Sequence, residues 1–375
     1  MGKIMWACWD GGGNLTPSLG IARVLEGDGH DVHFFGRPDM VNRVRSAGFG
    51  ATALLDSYRY LDRYSFHPQA TVFGYTSSPA VGEELLVRCD EFRPDLVVID
   101  AMFSAALDVA PRFERPTAVM LHTFLHHIYT GWTNNFKMQS DSRQRCGFDP
   151  LPGLDVLWGE RDLLHVNALE TFDAPAATPW TNVAHGAPIL ASERRAVPVS
   201  LPWPDDDDTP LVLLSFSTVP EQRNAELFQR ALDALGPLDV HVVATTGGTI
   251  DASELIAPAN AVVVAFADHD ALMARASLVL GHGGHGTTMR ALKHGLPIVG
   301  VPATGGDQVP ITQLLEQWGA GRALPGDAAV DQIRDTVDAV LNDDRCRIEA
   351  QRRADFLRGV DGAGQAARAV EALLG

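Results

Sequence analysis

The stretch GHGGHGTTMRALKHGLPIVGVPATGGDQ, Gly281 to Gln308, sets three histidines and a glycine cluster ahead of an acid-amide pair. Glycines that follow an apolar run and open a helical pattern let backbone N–H groups approach a ligand closely, because no Cβ stands in the way. SLVLGH reads as a strand, GGHGT as its turn and TTMRALKHG as a helix closing at Gly295. The amides of Gly284 to Thr287 then stand at a helix N-terminus, where about half a positive charge favours an anion, most often phosphate. His282 at the strand exit and the hydroxyls of Thr287 and Thr288 can donate to the same group. Neither G-x-G-x-x-G nor G-x-x-x-x-G-K-[ST] can be drawn through these residues. His285 is accommodated by the turn and His294 by the dipole of a helix C-terminus, so neither is given a ligand role.

A second group of candidates lies in the first half. WDGGGNLTPSLG carries Asp10 and Asn14 in a glycine-rich loop, and PDLVVIDAMF puts Asp100 at a strand end. An amide does not titrate near neutral pH, so Asn14 cannot act as a base. Asp100 either caps a strand-to-helix turn or serves chemistry. HTFLHH adds His122, His126 and His127. The spacing of His122 and His126 fits a helical metal pair, but without H-E-x-x-H or a third ligand no metal site is expected. Tyr58, Tyr60, Tyr64 and Tyr75, with Phe66 and Phe73, cluster as loops over a pocket for a flat or hydrophobic compound, core packing of a long loop being the alternative. FLHHIYTGWTNNF offers a second wall through Tyr129 and Trp132.

These residues need a scaffold, and the totals bound it. At 375 residues and 46% hydrophobic content the chain can bury two cores. A formal charge of -17 argues against a nucleic-acid partner, which needs a basic face. Cys8, Cys89, Cys146 and Cys346 are far apart, form no C-x-x-C pair and read as reduced thiols of a cytoplasmic protein. The apolar run at the N-terminus is too short for a signal or spanning helix, so no membrane insertion is expected.

Short apolar runs alternate with helical patterns: KIMWACW, DVHFFG, PDLVVID and PTAVMLH, then PLVLLSF, DVHVVATT, AVVVAF, SLVLGH and LPIVGVP. That alternation signals parallel sheets built from βαβ units, hence an α/β class. AVPVSLPWPDDDDTP, 196–210, suits neither helix nor central strand and marks a linker between domains at 1–195 and 211–375. Its acids, Asp205 to Asp208, read as solvated rather than metal-binding. Leu15, Leu19, Ala22 and Leu25 form a buried helical stripe. The last helix carries Ala366, Ala369, Val370 and Leu373 on one face and can pack back on either domain.

The run H-G-G-x-G-T, then ALKHGLP, then Asp307 and Gln308, closely resembles the donor-site signature of nucleotide-sugar glycosyltransferases with the GT-B fold, the family of plant UDP-glycosyltransferases and actinobacterial natural-product enzymes. The resemblance spans nearly the whole chain and is strongest from Ala261 to Leu324. It implies two Rossmann-like domains facing each other across a cleft. It also implies that His282, Gly283, Gly284, Gly286 and Thr287 hold the diphosphate, and that Asp307 and Gln308 meet sugar hydroxyls unless they merely cap the next helix. FADHDAL makes Phe266 the base-stacking candidate and Ala267 a backbone contact. LLSFSTVP makes Ser217 and Thr218 further donor contacts.

In the first domain Gly11, Gly13, Pro17, Ala22, Leu25, Gly29, His30 and Val32 match the family's opening loop, helix and second strand. Asn14 occupies the place of the catalytic histidine, and Asp100 matches the aspartate that orients it. Asp100 as direct base, Asn14 with Asp100 positioning an easily ionised acceptor such as a phenol, and His122 with its neighbours remain as routes. Gly13, Asn14, His122 and the aromatic residues are the acceptor-side candidates.

The resemblance implies an inverting hexosyl or deoxyhexosyl transfer from a TDP- or UDP-sugar to a small hydrophobic natural-product acceptor, with no metal or other cofactor, by a monomer or homodimer. A nucleotide-sugar hydrolase or epimerase of the same fold, and a non-catalytic donor-binding partner protein, remain as alternatives.

Overall fold

A computed structural model describes residues 1–54, 74–145, 147–173, 180–190, 199–204, 206–219, 222–303 and 306–375. The chain divides into two compact units, one of Met1–Ala191 with Asp361–Gly375 and one of Ser192–Val360.

The first unit is built on β1 (Lys3–Cys8), β2 (Asp31–Gly36), β3 (Gly50–Ala53), β4 (Leu96–Asp100), β5 (Thr117–Leu121), β6 (Leu163–Val166) and β7 (Val183–His185). All pair in parallel in the order β3-β2-β1-β4-β5-β6-β7. Its helices are α1 (Leu15–Gly27), α2 (Pro38–Ser46), α3 (Pro79–Phe92), α4 (Ser104–Val109) and α5 (Leu125–Arg145). Strands β1, β4 and β5 are buried almost throughout, as parallel strands covered on both faces must be. The start of α5 is held from outside the helix. Asp173 accepts from the backbone N–H groups of Leu125 at 2.7 Å and His126 at 3.1 Å, satisfying two of the donors a helix N-terminus leaves open.

The second unit carries β8 (Leu211–Ser215), β9 (His241–Thr245), β10 (Ala261–Val264), β11 (Leu278–Gly281), β12 (Ile298–Gly300) and β13 (Gly321–Ala323). They too are parallel, in the order β10-β9-β8-β11-β12-β13. The helices are α6 (Ala225–Leu235), α7 (His269–Met273), α8 (His285–Lys293), α9 (Gln308–Gln317), α10 (Val330–Leu341) and α11 (Asp344–Leu357).

In both sheets the order reverses direction beside the first strand, between β1 and β4 and between β8 and β11. Such switch points open a crevice at the carboxyl ends of the strands, where ligands bind in open α/β sheets. Asn14 follows β1 and Asp100 ends β4; Ser217 follows β8 and His282 follows β11. The candidate residues therefore stand where each sheet's topology leaves room.

The final helix, α12 (Gly362–Glu371), belongs to the first unit. Ala366, Ala367 and Val370 are fully buried there, in one cluster with Leu15, Leu19, Ala22 and Leu25 of α1. Gln365 Oε1 accepts from the Ala187 N–H at 2.9 Å, and His30 Nε2 contacts Glu371 Oε1 at 3.1 Å. Part of the proline-rich segment, residues 196–198 and 205, lies outside the described residues; within it Asp207 contacts His241 Nε2 at 2.9 Å. Cys8, Cys89 and Cys346 are free and buried. Among the described residues no helix is long and apolar enough to cross a membrane.

Removing two buried methyl groups with Val370→Ala is expected to lower unfolding free energy by about 2 kcal/mol, measured by urea denaturation. A change below about 0.5 kcal/mol would contradict the docking of α12 on α1.

Candidate active site

In the first unit the site is organised around one carboxylate. Asp100 is fully buried. Its Oδ1 accepts from Trp9 Nε1 at 3.1 Å and from the Met102 N–H at 2.9 Å. Its Oδ2 accepts from Asn14 Nδ2 at 2.9 Å and faces His122 Nε2 at 3.1 Å. The Met102 bond is the turn-capping contact that a strand-end aspartate commonly makes. The other three bring a loop, a helix start and the next strand's end onto the same group.

Asn14 is 5% exposed and precedes α1. Its amide is used at both ends: Oδ1 accepts from the Gly11 N–H at 2.8 Å, while Nδ2 donates to Trp9 O at 2.8 Å as well as to Asp100. Asp10, the other carboxylate of the loop, receives Arg43 on both oxygens at 3.0 Å and the Gly12 N–H at 3.0 Å. Gly13 is exposed, with open space where a side chain would stand.

His122 follows β5 and precedes α5, which starts at Leu125, so the helical spacing read between His122 and His126 does not occur. Instead, His122 Nδ1 faces Asn167 Nδ2 at 2.9 Å. An amide N–H toward Nδ1 leaves the ring proton on Nε2, directed at Asp100. Asn167 Oδ1 is buried and unpartnered, as are both ring nitrogens of His165, which is 1% exposed. Burial holds the His165 imidazole down at about 4, with the nearby His122 and His185 acting in the same direction.

Tyr75 is 1% exposed and stacks on Phe103 at 5.9 Å, so its ring is part of the core. Trp132 is 5% exposed and packs edge-on to Phe136. Tyr129 is half-buried, edge-on to Trp180 at 5.3 Å. Tyr58, Tyr60, Tyr64, Phe66 and Phe73 lie outside the described residues. Trp9 and Asn167 were missed by sequence reasoning. Trp9 carried a signal, an indole next to a glycine loop; Asn167, a lone amide after a four-residue strand, carried none.

In the second unit α8 begins at His285, earlier than the sequence pattern suggests, because Gly284 is extended (φ -64, ψ 134) and takes the N-cap position. No side chain caps α8. Its first N–H groups therefore lack the usual side-chain partner, and Gly286 among them is exposed with nothing near its missing Cβ. Gly283 has φ +83, and a Cβ there would stand 2.6 Å from Thr312 Cγ2 and 2.8 Å from Gln308 O, so only glycine fits. Thr287 is half-buried and Thr288 buried. Gly295, at φ +71, closes the helix as expected.

His282 is 8% exposed, and its Nδ1 has no partner. Desolvation pushes its pKa down to about 4, so the ring is neutral at pH 7. Asp307 sits at the N-cap of α9 without making a side-chain cap. Gln308 is buried and braces its own loop: Oε1 accepts from the Ala303 N–H at 2.9 Å and Nε2 donates to Gln222 Oε1 at 3.1 Å. Gln222, absent from the sequence candidates, thus ties the loops after β8 and β12 together.

Ser217 Oγ accepts from the Val219 N–H at 3.1 Å, and Thr218 is exposed. Phe266 and Ala267 are half-buried; a Cβ on Gly248 (φ +72) would stand 3.1 Å from Phe266 Cζ, which places the ring against the turn after β9. His294 Nε2 contacts Asp270 Oδ1 at 3.0 Å, a structural pairing.

Comparison with known proteins follows the same division. Residues 229–358 match the family described as erythromycin biosynthesis protein CIII-like, C-terminal domain. The demethyllactenocin mycarosyltransferase of Streptomyces fradiae is 29% identical over 170 residues, covering 45% of this chain and 37% of the relative, so well under half of that relative's length is spanned. The 4'-demethylrebeccamycin synthase of Lentzea aerocolonigenes is 24% identical, with 99% of both chains covered. Among solved structures, the calicheamicin glycosyltransferase CalG4 superposes with a TM-score of 0.78 at 23% identity, over 100% of this chain and 98% of that one. The chain has the GT-B fold of actinobacterial natural-product glycosyltransferases, and its second unit carries an EryCIII-like C-terminal domain.

Proposed function

We propose that this protein transfers a hexose or deoxyhexose from a TDP- or UDP-sugar to a small hydrophobic natural-product acceptor, aromatic or polyketide-like, in one displacement with inversion and without a metal. The observation that carries the reading is the start of α8: a helix N-terminus with no side-chain cap, glycines where a ligand must come close, and a buried neutral imidazole beside it. Its field suits the diphosphate that accepts charge as the glycosidic bond breaks. Donors already oriented toward that charge are typically worth about 3 kcal/mol each in such reactions. The names of the relatives support the acceptor class, since a mycarosyltransferase, a rebeccamycin synthase and a calicheamicin glycosyltransferase are among them.

In this reading Asp307 meets sugar hydroxyls, Gln308 shapes the loop that presents Asp307, and Phe266 stacks on the base. Asp100 acts through Asn14, since each of its oxygens already has two hydrogen-bond partners. The reading is tested by incubating the protein with TDP- and UDP-hexoses, with and without a panel of planar acceptors, and following glycoside and nucleoside diphosphate separately. Glycoside formed only with acceptor is expected; donor consumed equally without acceptor would point to a hydrolase or epimerase instead.

His282→Ala is expected to weaken nucleoside diphosphate binding about tenfold or more by calorimetry. Asp100→Asn should instead lower transfer far more than donor affinity, and equal transfer rates would remove Asp100 from the mechanism. The buried imidazole also sets a pH signature. His282 titrates near 4 when folded against 6.5 when exposed. Its favourable contribution is therefore complete above about pH 6.5 and is lost as pH falls toward 4, by on the order of 3 kcal/mol. Urea denaturation between pH 4.5 and 7 should show His282→Gln losing less stability on acidification than the native chain; identical losses would contradict a neutral buried ring.

A further inference from the structure

We propose that the acceptor attacks through an oxygen that is already anionic near neutral pH, a phenolate or a carboxylate, because the acceptor-side loop is built to hold its groups still rather than to remove a proton. This inference rests on the transfer reading above and names its substrate class.

The position after β1 is occupied by Asn14, which has no titrating group, and neither end of its amide is available: the oxygen takes the Gly11 N–H and the nitrogen serves Trp9 O and Asp100. Asp100 is fully buried, with two partners on each oxygen. His122 has one ring nitrogen on Asp100 and the other on Asn167. Asp10 is held by the Arg43 guanidinium and the Gly12 N–H. His165, an imidazole near His122, is 1% exposed. Among the described residues, each of these titratable groups is thus either committed to a partner or closed off from an incoming hydroxyl. Taking a proton at Asp100 or His122 would require breaking a buried hydrogen bond, which costs about 1 to 3 kcal/mol before any chemistry begins.

An anionic acceptor needs no base. Its oxygen lone pair forms the bond to the anomeric carbon, the bond from that carbon to the diphosphate oxygen breaks, and the electron pair leaves on the diphosphate. No proton moves in that step; a phenol acidic enough to have its own pKa near or below 7 has given its proton to solvent before it binds.

Three acceptor series test this with one nucleoside diphosphate sugar: naphthols of graded acidity, the matching naphthylmethanols, and naphthoic acids. For naphthols, kcat/KM is expected to rise with the ionised fraction, the inflection moving with the acceptor's own pKa, while naphthylmethanols react about 100-fold more slowly or worse, the factor a general base commonly supplies. Glycosyl ester from the naphthoic acids would identify the carboxylate arm, and aryl glycoside the phenolate arm; either supports the proposal. Asn14→His should raise naphthylmethanol turnover at least tenfold by restoring a base. Naphthylmethanols transferred within tenfold of the naphthols, or an inflection fixed at one pH across the series, would overturn the proposal and leave the transfer reading standing. Donor bound by calorimetry but no glycoside from any series would overturn both.

Discussion

The buried carboxylate of Asp100 is the constraint on which the candidate site of the first unit depends. A carboxylate inside a protein costs several kcal/mol unless its oxygens are fully hydrogen-bonded. Here the donors come from separate places: Trp9 and Asn14 around the first loop, Met102 in the turn after β4, and His122 at the end of β5. Each is held in turn. Trp9 O takes the Asn14 amide, Asn167 orients the His122 ring, and Trp158 Nε1 donates to Ala101 O at 2.9 Å beside the same turn. Moving any one of these elements would leave a buried donor or the carboxylate short of a partner, so the loop and the strand ends move together or not at all.

The second unit solves a different problem at the corresponding place in its sheet. In the proposed donor role an incoming phosphate would bring its own charge, so a buried ion waiting there would cost stability without need. His282 is instead kept neutral by burial, and the remaining donors are backbone N–H groups of a helix that no side chain caps. Gly283 adopts a backbone conformation that side chains rarely share and packs against Gln308 and Thr312. The glycines and the α9 start are therefore one packed assembly. The first unit spends its polar groups on one another, whereas the second keeps some in reserve for a ligand.

Much of this was legible in the sequence, and the reasons for the remainder are physical. Strands with apolar runs of five residues or more stood out, but GATA, LLHV, VAH and GRA are too short to be told from loops, and they form β3, β6, β7 and β13. The apolar face of the last helix was readable, yet its destination was not, because a stripe of alanines and a valine fits any apolar surface. Asn14, Asp100 and His122 were each identifiable by type and position. Their pairing was not, since Asn14 and Asp100 are 86 residues apart and only the parallel order of β1 and β4 brings them together. Aromatic clustering was ambiguous in the same way: Tyr75 and Trp132 belong to the packing, and the pattern that marks a pocket wall also marks a core. The glycine turn was the easiest to read because its chemistry is local.

The most direct measurement is a double-mutant cycle between Asn14 and Asp100, using Asn14→Ala, Asp100→Ala and the combination, with unfolding free energy from urea denaturation. A buried charge held by that amide should give a coupling of about 1.5 kcal/mol or more. Strictly additive losses would mean that the carboxylate does not hold the loop, and the account of the acceptor side would be wrong.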